Sequence, residues 1–478
     1  MHNPCGTMRS RYAAAMLKFA FALLALVAVP STAQPLTAAE LAQIDQAVNK
    51  ALTDTSVPSA SIAIVRDGKI VLTKAYGKAS ETLPATPDLP YQIASNSKQF
   101  TGMALLLLED EGKLSLNDTV SKWLPGISGG DRITIRQLLS HTSGLQDFWP
   151  QDYSFAAMSH PAKPQDIVDR WAKKPLDFQP GDQWQYSNTG YVVAGMIAEK
   201  ASGEPLLKYL KRKIFDPLGM KSVHNLDDTN GPTFPHGYGR FALGPVRQVT
   251  PPAAGWLWAA GELSMTAEDL AKWDIARINR SVLPAEDWEE QEKTIKLNDG
   301  KDSGYGLGVY VATVNGHRRI SHGGESVGFL STNQVYPAER AAIVVMTNSW
   351  SGDAYSRIAR DLAKIVLPVA APDATVSVQA ARARTVYDQL RSGNLDRSLL
   401  TENANFYFTP QAIADYQSSL SPLGEPLSFE PDGKPVLRGG YVIQSYTIKY
   451  PGRTLDLSTF YEPGPNGRIE QFLVKPGE

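Results

Sequence analysis

Residues 93–98 read Ile93-Ala94-Ser95-Asn96-Ser97-Lys98 and lead straight into Gln99-Phe100-Thr101-Gly102-Met103-Ala104-Leu105-Leu106-Leu107-Leu108. The run from about Ser95 to Asp110 predicts a long helix, with Leu105–Leu108 in the core and Gly112 ending it. At spacing i, i+3 the Ser95 hydroxyl and the Lys98 amine share one face, a turn apart. A serine hydroxyl becomes a nucleophile when a neighbour takes its proton. A lysine does so when burial and nearby positive partial charge depress its pKa. A helix N-terminus also aims free N–H groups at developing negative charge. Taken alone, Ser-x-x-Lys is common, and an N-cap serine beside a solvated first-turn lysine is the better reading.

Two further patterns bear on chemistry. Tyr186-Ser187-Asn188 follows Pro180-Gly181-Asp182. A phenol and an amide two residues apart on a turn could both face a cleft, Tyr186 relaying protons and Asn188 holding an amide carbonyl. The plain alternative is a turn asparagine capping the next helix beside a packed tyrosine. His322-Gly323-Gly324 closes a predicted strand, where glycine would let a substrate lie against the strand edge. The alternative there is a hairpin end with a surface histidine.

In this order and with these flanks, the chain resembles the serine β-lactamase and penicillin-binding superfamily. The branch is that of class C β-lactamases, D-Ala-D-Ala carboxypeptidases, D-aminopeptidases and β-lactamase-like esterases. The flanks are Ile93-Ala94 before the first motif, Leu138-Leu139-Ser140-His141-Thr142-Ser143-Gly144-Leu145 after it, Pro180-Gly181, Ala260-Gly261, and Ser264-Met265-Thr266-Ala267-Glu268-Asp269-Leu270. The resemblance implies that Ser95 is the acylated nucleophile, Lys98 its base or relay, and Tyr186 a partner in proton transfer. It implies that Asn188, His322, Gly323 and Gly324 bind substrate. The backbone N–H groups of Ser95 and Glu325 would form the oxyanion hole, worth about 3 kcal/mol per donor. No metal or organic cofactor is implied, and the seven histidines show no metal-binding spacing.

One departure matters. In β-lactamases the third motif usually begins with lysine, then a hydroxyl residue, then glycine; here it is His322 and Gly323. A fixed cation and a hydroxyl to grip a substrate carboxylate are both missing, and histidine is mostly neutral near pH 7. This favours an esterase or a peptidase/amidase over a β-lactamase. Gly324-Glu325-Ser326-Val327-Gly328 also matches a nucleophile elbow, which needs a strand, a sharp turn and a helix. The residues after Gly328 read as a strand instead. Trp149, Tyr153, Phe155, Trp256 and Trp258 either wall an acyl pocket or are ordinary loop aromatics. Asp131, Asp147 and Asp182 read as turn or capping carboxylates.

The 478 residues carry a net charge of -2, which gives no global field to hold nucleic acid. The only cysteine is Cys5, so disulfides, cysteine zinc sites and a cysteine nucleophile are excluded. Arg9, Arg11 and Lys18 precede the apolar run Phe19–Val29, then Pro30 and Ser31-Thr32-Ala33. This is the layout of a secretory signal peptide over 1–33, and implies a periplasmic or secreted protein with no integral membrane segment once the leader is removed.

The main domain is expected over 34–368 as an α+β, β-lactamase/transpeptidase-like fold: an antiparallel sheet flanked by helices, with a helical subdomain. Its predicted strands are Ser61–Val65 and Lys69–Tyr76 around Asp67-Gly68, then Tyr305–Val314, Arg318–His322, Phe329–Tyr336 and Ala341–Asn348. Its predicted helices include residues 41–53, Tyr186–Ala201, Thr266–Arg277 and Asp353–Leu367. A linker is expected over 369–378, and a small α+β domain over 379–478 with helices preceding four strands. That region loosely resembles the nuclear-transport-factor-2-like (NTF2-like) cone fold and reads as a stabilising appendage. The leading expectation is an exported serine hydrolase acting on esters or on D-amino-acid peptides and amides, with a small molecule or peptide as its partner. The alternatives are a β-lactamase, or a non-catalytic penicillin-binding receptor whose C-terminal domain does the recognition. Oligomeric state is left open.

Overall fold

Asp67 and Gly68 both take left-handed backbone, φ 53° and 72°, the two-residue connection whose twist suits an antiparallel pair. They join strand β1 (Ser59–Arg66) to β2 (Lys69–Gly77). Much later the chain supplies β3 (Tyr310–Val314), β4 (His317–Ser326), β5 (Phe329–Tyr336) and β6 (Ala341–Thr347). The six strands form one sheet in the order β2-β1-β6-β5-β4-β3. β1 runs antiparallel to β2 and β6, and β5 runs antiparallel to β6 and β4. In this computed structural model the described residues are 34–478, except 152, 242–243, 351, 368–373, 439, 465 and 478. The expected leader, 1–33, lies outside them. They divide into two compact units, one of residues up to Tyr310 with Ile320–Val366, the other of Val311–Arg319 with Leu367–Glu478.

β5 and β6 are buried along their whole length, so both faces of the sheet need cover. Helices α1 (Ala38–Thr55) and α5 (Ala354–Val366) pack on each other, and α5 also lies on β6. α4 (Ala267–Asn279) packs on β1 and β6. Its first turn is held by Thr266, whose hydroxyl accepts the Asp269 N–H at 3.2 Å as an N-cap. In the chain between β2 and β3, α2 (Lys98–Asp110) and α3 (Asn188–Ser202) pack together within a helical region. The expected architecture of antiparallel sheet, flanking helices and helical subdomain is therefore present.

Four element boundaries differ from expectation, each for a local reason. The helix expected from Ser95 begins at Lys98, and Ala94–Ser97 form a 3-10 turn in front of it. Tyr186–Ala201 starts instead at Asn188, because Ser187 is the cap and its hydroxyl accepts the Gly190 N–H at 3.2 Å. Only Tyr310–Val314 of the expected 305–314 strand is regular. Gly306 and Gly308 carry that stretch over the backbone of Gln291 and Lys98, so close that a Cβ on either would clash. The strand at Arg318–His322 does not end at the histidine. It continues to Ser326, with Gly323 opposite Thr332 and Gly324 opposite Ser331.

In the second unit, α6 (Ala374–Ser392), α7 (Glu402–Tyr407) and α8 (Pro410–Leu420) precede an antiparallel meander of four strands, β7 (Ser428–Arg438), β8 (Tyr441–Tyr450), β9 (Arg453–Tyr461) and β10 (Ile469–Pro476). Val386, Tyr387 and Leu390 of α6 share a core with Tyr446, Ile448, Leu457, Tyr461 and Phe472. Of the expected linker, 369–373 lie outside the described residues, and 374–378 belong to α6.

Candidate active site

Ala94, directly before Ser95, sits at φ 47°, a conformation that costs a residue with a Cβ about 1–3 kcal/mol. Ala94 opens the 3-10 turn that runs on into α2. Asn96 donates to Ser331 Oγ at 2.8 Å, and Ser331 Oγ donates to the Ile93 carbonyl at 3.0 Å. One turn further on, Gln99 donates to Asn333 Oδ1 at 3.1 Å, and Asn333 donates to Asp274 at 2.6 Å. Arg277 reaches Gln99 Oε1 at 3.2 Å and Gln291 Oε1 at 2.7 Å. All these side chains are buried, so the residues flanking Ser95 and Lys98 are fixed to β5 and α4 by a polar network with little freedom.

Lys98 is 0% exposed. Its Nζ lies 3.0 Å from Ser95 Oγ, 2.8 Å from Asn188 Oδ1 and 2.7 Å from the Ala260 carbonyl. Tyr186 and Tyr191 present their ring faces to the amine at 4.8 and 5.2 Å. Burial lowers its pKa to about 7, although the Asp147 carboxylate pulls the other way. A neutral amine has two N–H bonds and one lone pair. The amide and main-chain oxygens can only accept, so they take the two N–H bonds. The hydroxyl is the one neighbour able to donate, and the lone pair is left to it.

Tyr186 is held by stacking on His141, with ring centroids 4.2 Å apart. Burial raises its phenol pKa well above the ordinary value, and the Ser95 hydroxyl beside it offsets only part of that. It is therefore a neutral O–H near pH 7. His141 accepts the Ser187 N–H on Nδ1 at 3.1 Å, which ties the ring to the Tyr186 turn. Burial, then the charge of Lys98, holds His141 well below the usual histidine range. Asn188 is 8% exposed at the first turn of α3, and Asp147 accepts both its main-chain N–H at 2.9 Å and its side-chain amide at 3.2 Å.

His322 faces the same cleft but does not offer a free nitrogen. Nε2 pairs with the Tyr305 hydroxyl at 2.8 Å, and Nδ1 is turned to the Gly323 carbonyl. Burial and then the charge of Lys98 lower its pKa to about 3, so it is a neutral wall. Gly324 lies against the Ser95 turn: a Cβ there would be 1.9 Å from the Ile93 carbonyl oxygen. Glu325, the next residue of the strand, lines the same cleft as Ser95. A Cβ on Gly323 would meet only the Ser331 carbonyl oxygen, at an ordinary van der Waals distance of 3.7 Å. Ser95, Tyr186, Asn188, His322, Gly323, Gly324 and Glu325 all line one cleft of about 530 Å³. The structure thus brings together the residues to which the resemblance assigns a catalytic, substrate-binding or oxyanion role, with Lys98 bonded to Ser95 and Asn188 from beneath.

The sequence reading needs correction in two places. Asp147 is not only a turn carboxylate: beyond the Trp149 N–H at 3.2 Å, its turn contact, it accepts two N–H groups of Asn188 and lines the cleft. Of the five candidate wall aromatics, Trp149 alone borders the cleft. Phe155 and Trp256 pack with Trp171, and Tyr153 is exposed. Tyr310, Leu257, Trp350 and Tyr355, which carry no local signal, line the cleft instead. As the sequence reading has it, the Gly324–Gly328 stretch is no nucleophile elbow. It runs from strand to turn to strand, and Ser326 is buried with its hydroxyl donating to Gln92 at 2.8 Å.

This fold and cleft define a protein of the serine β-lactamase and penicillin-binding class. The chain matches the Beta-lactamase family over residues 44–367 and belongs to it. Protein flp of Staphylococcus aureus (strain N315) is 29% identical over 315 residues, 64% of this chain and 62% of the relative. The chain thus spans a little under two thirds of that relative's length. The D-stereospecific amidohydrolase from Streptomyces sp. is similar in structure, with TM-score 0.58 at 29% identity, covering 66% of this chain and 96% of that one. The octameric penicillin-binding protein homologue from Pyrococcus abyssi shares the fold, with TM-score 0.61 at 21% identity, over 91% of this chain and 100% of that one.

Proposed function

We propose that the protein is an exported serine hydrolase that works through a covalent acyl-enzyme on Ser95 and cleaves small esters or D-amino-acid amides and peptides. The observation that carries this reading is the pair Ser95–Lys98: a hydroxyl 3.0 Å from an amine that is fully buried and has a pKa near 7. Ser95 Oγ attacks the carbonyl carbon while its proton passes to Lys98 Nζ. The oxyanion that forms is received by the main-chain N–H groups of Ser95 and Glu325. The leaving group departs with a proton delivered through the Tyr186 hydroxyl, which Lys98 replenishes. Water then attacks the acyl carbon, giving its proton to the same relay, and Ser95 is released with the acid. Asn188 orients the amine and lines the path of the substrate.

The neutral His322 supports esters and amides over β-lactams, because no fixed cation stands there to hold a ring carboxylate. The likeness to a D-stereospecific amidohydrolase supports the amide side of the range. The basic and apolar leader at 1–33 supports export. Labelling with a fluorophosphonate, followed by peptide mapping, tests the reading. Modification of Ser95, a burst with p-nitrophenyl butyrate, and loss of both in Ser95→Ala are expected. Modification at another serine with Ser95→Ala still active overturns it.

A further inference from the structure

We propose that the second unit carries a binding site for a small organic cation of the quaternary-ammonium class, walled by aromatic residues and charged by Glu470. The cavity holds about 700 Å³, and small-molecule sites run to roughly 300–1,000 Å³. Its lining comes from α7, the residue after it, and strands β8, β9 and β10, all within the second unit. Phe408 and Phe472 are buried and belong to that unit's core. Tyr407 stands edge-on to Phe408, with ring centroids 5.0 Å apart, and is half-exposed. Tyr441 and Phe460 are partly exposed. Five aromatic residues thus line one concavity.

The charge of this cavity is unmatched. Glu470 is the one acidic residue among those lining it, and no lysine, arginine or histidine lines it among the described residues. Its Oε2 accepts the Thr401 hydroxyl at 2.6 Å, and its Oε1 accepts the Asn403 amide at 2.9 Å. Thr401 is itself the N-cap of α7 and accepts the Ala404 N–H at 3.2 Å, so the carboxylate is held in place. Both donors are neutral, and no cationic side chain pairs with Glu470 among the described residues. A fixed carboxylate beside aromatic rings, left without a countercharge, attracts an organic cation. Each of its oxygens already accepts a hydrogen bond. A cation that brings charge without N–H groups therefore suits the site better than a guanidinium, which needs two free acceptors at once.

Calorimetric titration of the full chain with choline, and with its uncharged isostere 3,3-dimethylbutan-1-ol, tests this at pH 7. Choline is expected to bind at a single site, about tenfold or more tighter than the alcohol. Glu470→Gln is expected to weaken choline by about tenfold and to leave the alcohol little changed. Tyr407→Ala, at a half-exposed position, is expected to weaken both, and carries the test should Glu470→Gln fail to fold. No binding of choline, equal binding of choline and the alcohol, or choline binding unmoved by either substitution overturns the proposal. So does a dimer in sedimentation velocity that Tyr407→Ala dissolves and choline leaves intact, because the cavity is then an interface between copies of this chain.

Discussion

Asp147 holds Asn188 at two points, through the main-chain N–H at 2.9 Å and the side-chain amide at 3.2 Å. A carboxylate can only accept, so the amide nitrogen of Asn188 must face Asp147 and its oxygen must face Lys98, 2.8 Å away. Burial pushes the Asp147 carboxyl up, while the N–H groups of Trp149 and Asn188 and the charge of Lys98 pull it back. In return, Asp147 raises the Lys98 amine against the larger lowering by burial.

Asp147 is thus a positioning residue, and Asp147→Asn should show it in two ways. Without the negative charge the Lys98 pKa falls further, so the acid limb of kcat/KM moves to lower pH. Asn188 loses its fixed orientation, so kcat falls by about tenfold to a hundredfold. A limb that stays in place while stability drops would reduce Asp147 to a turn residue.

For Lys98 itself, the sign follows from which form reacts. The free amine takes the Ser95 proton, and the pKa of about 7 makes half of it available at neutral pH. Activity should therefore be full above this pH and be lost as pH falls through it. An ordinary lysine would place the limb beyond pH 10. Lys98→Arg cannot take a proton near pH 7, and should lower the acylation rate by about a thousandfold or more. Stopped-flow measurement of the p-nitrophenol burst against pH checks both.

The parts of this site that were legible in the sequence are those set by short-range spacing. Ser95 and Lys98 share a face because they are three residues apart, and Tyr186 and Asn188 because they flank a helix cap. Strands β1 and β2 were legible from their β-rich residues around Asp67-Gly68. What stayed hidden depends on contacts across the fold. Asp147 looks like any Asx turn until α3 is placed beside it. Tyr305 gives no sign of His322 until the sheet closes. Gly323-Gly324 reads as the end of a strand, since glycine weakens strands, yet pairing with Thr332 and Ser331 carries the strand to Ser326. The start of α2 was misplaced because the left-handed φ of Ala94 leaves no mark in the sequence.

Tyr186→Phe separates the two halves of the proposed cycle. The phenol is a neutral O–H, so its task is to deliver a proton rather than to remove one. An amide nitrogen must be protonated to leave, whereas p-nitrophenolate leaves without one. The substitution should therefore slow amide cleavage by about a hundredfold or more and p-nitrophenyl ester acylation far less. Equal losses on both substrates would make Tyr186 part of the base.

Glu262 lies two residues after the carbonyl that binds Lys98, and its own chemistry is readable as stability. Burial raises its carboxyl to about 8, and Asp227 and Glu199 add to the shift. A carboxyl whose folded pKa is raised stabilises most below its unfolded value near 4.5 and loses that contribution as pH climbs through the folded one. Between those limits the native state holds one more proton than the unfolded chain, so stability should fall with a ceiling of about 1.4 kcal/mol per pH unit. Glu262→Gln keeps an oxygen for the Asn225 amide, which donates to Glu262 at 3.1 Å, and cannot ionise. Urea unfolding of both proteins from pH 5 to 8 should show the variant gaining steadily on the wild type. Parallel curves would mean that Glu262 stays ionised in the folded protein, with its charge met by a partner or by water.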